Sequence, residues 1–335
     1  MSLLILNWLV LLLALCLARI TASAISTEAM ETLETFYKST GGSQWDNDAI
    51  HANHGSRDAA WNFTKLASGD YVHQSEVCDT WVGIYCNSDS EIYRLYMQGG
   101  NLQGSIPSEL EVLAPSLQRL YLYDNYLTGS LPASIGSLSN MYRMYLYNNL
   151  LTGPVPDLGA LTNMQRLYLY DNALTGSIPI TLATLTNMER LELYSNWLTS
   201  SIPNGLSEGM TALERLYLHD NLLTGTVPLD LLEGQTSLAK LNLRDNQFSG
   251  PLPPNLHACT NLDALYLHGN RFTGPVSPSL AELSKLTVLQ LRSNQLTGTI
   301  PDFSNCTALT SLFLNVNNLT GTIPTSFSIM TQLTG

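Results

Sequence analysis

From residue 95 onward the apolar positions recur in one pattern: a leucine, an outward residue, a second leucine, two polar residues, an asparagine, then L-T-G-x-I-P. One unit reads Leu120-Tyr-Leu122-Tyr-Asp-Asn125-Tyr-Leu127-Thr-Gly129-Ser-Leu-Pro132. The first apolar residue falls at Leu95, Leu120, Met144, Leu167, Leu191, Leu216, Leu241, Leu265, Leu289 and Leu312, always 23 to 25 residues apart. So regular a period is the mark of a stacked repeat rather than of two globular domains. L-x-L predicts a short strand whose leucines face one side. T-G predicts a turn, because glycine tolerates positive φ. The asparagines, from Asn125 and Asn149 to Asn294 and Asn317, sit where they would be buried, and a buried amide needs partners. A ladder of asparagines bonding neighbouring coils meets that need. Ile135 and Leu138 fill the coil from behind.

One coil cannot bury its own leucines, so stacking makes the core. The expected fold is an α/β repeat solenoid: a right-handed superhelix with a parallel β-sheet on its concave face and a small helical N-terminal cap. Residues 93–335 hold about ten repeats. Residues 25–92 form the cap, with an amphipathic helix from Glu28 to Thr40 (Leu33, Phe36 and Tyr37 apolar) stopped by Gly41-Gly42. A polar stretch follows from Ser43 to Gln74, and the cap reads as too small for its own core. Residues 1–24 read as a signal peptide: an apolar run from Leu3 to Leu17, then Ala22-Ser23-Ala24 as a cleavage pattern. A signal anchor is the rival reading.

The repeats resemble the plant-type leucine-rich-repeat family of receptor-like proteins, receptor-like kinase ectodomains and polygalacturonase inhibitors. Cys78-Asp-Thr-Trp81-Val-Gly83-Ile-Tyr-Cys86 resembles that family's N-terminal cap, and Thr40-Gly41-Gly42-Ser-Gln-Trp45 is similar to a T-G-G-x-x-W motif before such repeats in microbial eukaryotes. The chain departs from polygalacturonase inhibitors in lacking a cysteine-bearing C-terminal cap and a second N-terminal cysteine pair. It also carries no kinase segment. Cys78 and Cys86 are expected to be bridged. Cys259 and Cys306 occupy core positions two coils apart, roughly 10 Å at ~4.8 Å per coil, and are expected to stay reduced.

Charge changes the picture of where function sits. The net charge is −12, which disfavours nucleic acid as a partner. Residues 25–92 contain eleven acidic against three basic side chains. Yet nine of the eleven Lys and Arg in 93–335 fall in two strand columns. One column holds Arg119, Arg143, Arg166, Arg190 and Arg215. Tyr121, Tyr145, Tyr168 and Tyr217 stand between the leucines, and Tyr123, Tyr147, Tyr170 and Tyr194 follow them. The concave face is therefore expected to be a basic, aromatic strip, bordered by acids at Asp124, Asp171, Asp220 and Asp245. Tyr and Arg are enriched at interface hot spots. The same repetition also arises by duplication, with cross-strand pairs stabilising the sheet.

The expected function is non-enzymatic extracellular recognition by a secreted or cell-surface protein. A protein or peptide is the first candidate partner. An anionic polysaccharide is the second, with arginines pairing its acids and tyrosines stacking on its rings. The truncated ectodomain of a receptor-like kinase and a structural surface or matrix protein are the alternatives. No cofactor or metal is called for: His51, His54 and Asp48 match no ligand spacing. Asn62, Asn305 and Asn318 begin glycosylation sequons, and Asn318 is expected to be the most exposed. The step from Leu312 puts the next strand near residue 336, so the last coil is expected to end uncapped.

Overall fold

The computed structural model describes residues 24–52 and 61–334. The signal-peptide reading, most of residues 1–24, and His54 lie outside them.

The L-x-L segments form an eleven-stranded sheet in coil order. Pairing keeps one register: Leu95 opposes Leu120, Leu120 opposes Met144, and the match runs on to Leu289 opposite Leu312. The repeat strands are parallel, whereas the first strand, Ile84–Cys86 from the cap, runs antiparallel to Ile92–Tyr96 and closes that end. Leu120, Leu122, Met144 and Leu146 are fully buried, each removal from water contributing roughly 1.5–3 kcal/mol.

The asparagine ladder forms, each side chain joining its coil to the preceding one as both donor and acceptor. Asn125 Nδ2 donates to the Met97 carbonyl of the preceding coil at 2.8 Å and to Leu122 of its own at 3.0 Å. Its Oδ1 accepts from the Leu102 N–H at 3.0 Å. The residue just before each ladder asparagine has left-handed backbone, as at Asp124 (φ 57°), Asn148 (φ 51°) and Asp171 (φ 50°). Asn and Asp tolerate that region best among side chains with a Cβ. The acids read from sequence as a border to the basic face thus have a backbone reason to be there. In the eighth repeat Gly269 takes the position, and an added Cβ would meet Asp245 Oδ1 at 2.1 Å.

The segment after each asparagine is more than a turn. It forms short parallel strands on the flank of the solenoid, in groups such as Thr152–Pro154, Ala173–Gly176 and Trp197–Leu198. Its glycine does sit at positive φ, 74° at Gly129. The back of most coils is a 3-10 turn begun by the proline, as in Ala133–Ser137 and Ile180–Thr184.

The cap helix spans Thr27–Ser39, and the Ser26 side chain accepts from the Ala29 N–H at its start. The cap's polar stretch contributes an aromatic cluster to the shared core. Phe36, Trp45, Trp61 and Trp81 are buried against one another, with Trp45 and Trp61 edge to face at 4.8 Å. Aromatic residues scattered through a polar stretch supply that core without any apolar run to announce it. Trp61 Nε1 donates to the Val82 carbonyl at 3.0 Å, so its polar atom is satisfied. The cluster is continuous with the repeat core. Cys78 and Cys86 are bonded to each other, and Cys259 and Cys306 are free and buried. Among the described residues no helix is long and apolar enough to cross a membrane.

Candidate functional site

Because the strands share one register, identical side chains stand one strand spacing apart, and that spacing suits ring-on-ring contact. Two tyrosine ladders result. The first stacks Tyr121 on Tyr145 at 4.6 Å and Tyr145 on Tyr168 at 4.4 Å. The second runs Tyr123, Tyr147, Tyr170, Tyr194 and His219, with centroids 4.2–4.4 Å apart and planes within 17°. Glu192 interrupts the first ladder, and Arg244 follows the second. Tyr217 stands at the ladders' edge, its ring tilted 75° to His219.

Inside such a ladder both ring faces are covered. Only ring edges and hydroxyls meet solvent. Sugar stacking on these tyrosines therefore has no open ring face between Tyr123 and His219, and the ladder instead offers a row of phenol groups. Burial raises the phenol pKa of Tyr121, Tyr145 and Tyr168, and pushes Tyr194 to about 12. All remain neutral donors and acceptors at physiological pH.

The arginine column is partly neutralised. Arg166 Nε lies 3.2 Å from Glu189, and Arg190 lies 3.5 Å from Glu214. Each glutamate comes from the next coil, directly before that coil's arginine, a signal the sequence held but the column reading passed over. Arg94 lies over the Tyr85 ring at 3.7 Å, and Arg119 bonds the Tyr142 hydroxyl. Arg143 and Arg166 reach the hydroxyls of Tyr121 and Tyr145. Arg215 faces the carboxyl of Glu192, which is only 8% exposed. Burial raises that carboxyl's pKa, while Arg215 and Arg190 oppose the shift.

Further along the solenoid the outer column changes character to His219, Arg244, His268 and Arg292. Arg244 is held by Asp220 at 2.6 Å and by Asp245 at 2.5 Å. Burial depresses the His219 imidazole to about 3, with Arg244 adding to the shift. Burial also lowers the His268 pKa, and the Nδ1 atoms of both histidines are buried without a hydrogen-bond partner among the described residues. Asn62, Asn305 and Asn318 are all exposed. No group of three His, Cys, Asp or Glu side chains among the described residues is placed to hold a metal ion.

The repeat geometry now meets the known proteins. The Leucine Rich Repeat family matches residues 116–138, 237–259, 285–306 and 308–330. An LRR receptor-like serine/threonine-protein kinase of Arabidopsis thaliana, RGI3, is 38% identical over 86 residues. The plant peptide hormone receptor RGFR1, solved in complex with RGF2, is 37% identical with a TM-score of 0.69. The chain is a plant-type leucine-rich-repeat protein. That likeness covers 71% of this leucine-rich-repeat chain and 38% of the RGFR1 chain, and the RGI3 match covers 24% of this chain and 8% of the kinase. A plant ice-binding protein is 26% identical with a TM-score of 0.68, and there 90% of each chain is covered.

Proposed function

We propose that the protein recognises an extended peptide outside the cell through its concave face. One observation carries this reading. The two tyrosine ladders present rows of neutral phenol hydroxyls beside a row of guanidinium groups on the concave face. Extended peptides expose backbone N–H and C=O groups that such hydroxyls pair with. The solved complex of RGFR1 with RGF2 supports the reading, since that receptor is described as a peptide hormone receptor and shares the repeat architecture. Residues Arg119 to Tyr217 of the arginine column and the two tyrosine columns form the proposed site. The test is a peptide array followed by calorimetry on the protein and on an Arg143→Ser, Arg166→Ser, Arg190→Ser variant. The variant should bind more weakly with a shallower salt dependence while melting within about 0.5 kcal/mol per site of the parent. Unchanged affinity in the variant places the ligand elsewhere. N-terminal sequencing of the exported protein, with Ile25 as the expected first residue, tests the secreted or cell-surface location, and mass mapping tests glycan on Asn62, Asn305 and Asn318.

A second reading, adsorption to ice, is favoured by a separate observation. The ice-binding plant protein corresponds to this chain over 90% of both lengths, whereas RGFR1 is matched over 38% of its own. Thermal hysteresis of the purified protein tests it.

A further inference from the structure

The flank of the solenoid differs in kind from the concave face. After each ladder asparagine the chain enters a short strand, and its residues alternate. The leucine points into the coil, as at Leu127, Leu151 and Leu174, and the glycine two residues on turns the chain. The threonine between them and the residue after the glycine point outward. Pairing offsets adjacent coils by two residues. Thr152 therefore lies beside Ser130, Thr175 beside Pro154 and Thr320 beside Thr299. The outcome is a ribbon of two interleaved columns. One column runs from Thr128 to Thr320 with a single serine, Ser249, among its nine members. The other holds only Ser, Thr and Pro. Neither contains a charged side chain, and every threonine of the first column is exposed.

The ribbon is also pre-ordered. The Thr152 and Thr199 N–H groups donate to Gly129 and Gly176 of the preceding coil at 2.8 Å each. The sheet thus fixes a step of ~4.8 Å from coil to coil. Several hydroxyls bond the same carbonyls: Thr128 to Gly104 at 3.1 Å, and Thr199 to Gly176 at 3.3 Å. That contact holds the side chain in one rotamer. Along the adjoining column Tyr126, Leu150, Trp197 and Leu222 are 46–62% exposed, and from Gln247 through the exposed Arg271 to Asn318 that column turns polar. Large apolar side chains kept in one exposed row mark a contact surface.

A surface built of one repeated motif cannot encode a peptide sequence. What it encodes is a period. Charges bind water in shells oriented around themselves, and the ribbon has none. Methyl groups order the water beside them, and hydroxyls anchor that water by hydrogen bonds. A partner that is uncharged, periodic and made of water satisfies all of these at once. We propose that the Thr128–Thr320 ribbon, bordered by apolar side chains from Tyr126 to Leu222, is an ice-adsorption surface; the assignment rests on the ice reading above and gives it a face.

The experiment measures thermal hysteresis and inhibition of ice recrystallisation for the full exported chain, a Thr175→Lys, Thr199→Lys variant, and the Arg143→Ser, Arg166→Ser concave-face variant. Circular dichroism melts check folding, and the single variants T175K and T224K replace the double variant if it does not fold. The expected result is activity in the parent, retained in the concave-face variant and lost in the lysine variants. Activity retained in folded lysine variants overturns the ribbon assignment and leaves the ice reading in place. No hysteresis and no inhibition in the parent overturn both.

Discussion

Asn149 stitches its coil to the one before it: its Nδ2 donates to the Leu122 carbonyl at 3.0 Å, across 27 residues of sequence. The same side chain accepts from the Leu127 N–H at 3.0 Å and donates to Leu146 of its own coil at 3.1 Å. At 6% exposure no water replaces these bonds. Asn149→Ala leaves a buried N–H and carbonyls unpaired and should cost about 1–3 kcal/mol. Solenoid stability sums repeat and neighbour-interface terms, so the loss should appear as a lower melting temperature with a broader transition. An unchanged melt by circular dichroism would show that the ladder is not what couples these coils.

Tyr147 is sandwiched between Tyr123 at 4.4 Å and Tyr170 at 4.3 Å. Two ring pairs at about 0.5–1.5 kcal/mol each make Tyr147→Ala a loss of ~1–3 kcal/mol. Tyr147→Phe keeps both ring contacts and removes only the hydroxyl. The two variants separate the ladder's two roles. Urea melts should distinguish Y147A from the parent, and peptide affinity should distinguish Y147F from it. Equal stability of Y147A and Y147F would mean that ring stacking contributes nothing to the sheet.

The main sheet was legible because its determinants repeat: Leu120, Met144 and Leu167 fix the register by side-chain alternation, and Asn125 marks the end of each strand. The flank strands were not legible. T-G reads as a turn on its own, and only the neighbouring coil turns Thr152–Pro154 into a strand by pairing it with Ala173–Gly176. The candidate face was visible as columns of Arg and Tyr, since outward positions of a strand are assignable from spacing. Its electrostatics were not, because the partner of Arg166 is Glu189, 23 residues away. The cap's aromatic cluster was not legible for a related reason: Phe36, Trp45, Trp61 and Trp81 meet by tertiary folding, without local periodicity.

His219 gives the concave face an acid sensitivity. Its imidazole is 7% exposed and stacked on Tyr194 at 4.2 Å. Burial holds its pKa at about 3, against a usual value of 6.5. A base whose pKa is depressed on folding stays neutral in the native state while the unfolded chain takes up a proton. Its contribution is therefore complete above pH 6.5 and declines as the pH falls from there toward about 3. Glu192 acts in the opposite sense, since its carboxyl pKa is raised by burial and protonation on acidification relieves a desolvated charge. The difference between parent and His219→Phe isolates the histidine, because phenylalanine keeps the ring stack. Between pH 6.5 and 4 the variant's stability should fall less steeply. Parallel curves from urea titrations at stepped pH would mean that the imidazole is protonated in the folded protein.

The final coil is less sealed than those before it. Leu289 and Leu291 are fully buried, whereas their equivalents Leu312 and Leu314 are half-exposed, as are Phe327, Met330 and Leu333. Among the described residues no further coil packs against its outer side. The bonds that hold it run one way only, such as Thr320 N–H to Gly298 at 2.8 Å and Thr334 N–H to Thr310 at 2.9 Å. Opening the coil exposes little apolar surface not already exposed, so its free energy of opening should lie well below the global value. Amide hydrogen exchange read by mass spectrometry should show protection falling from the Val288–Gln290 strand to the Ser311–Phe313 strand. The gradient should flatten if a soluble partner covers that end, because binding the folded form alone stabilises it. Uniform protection through residue 324 in a monomer, established by light scattering, would instead mean that the side-chain contacts of Phe303 and Phe327, at 6.5 Å between centroids, close the coil by themselves.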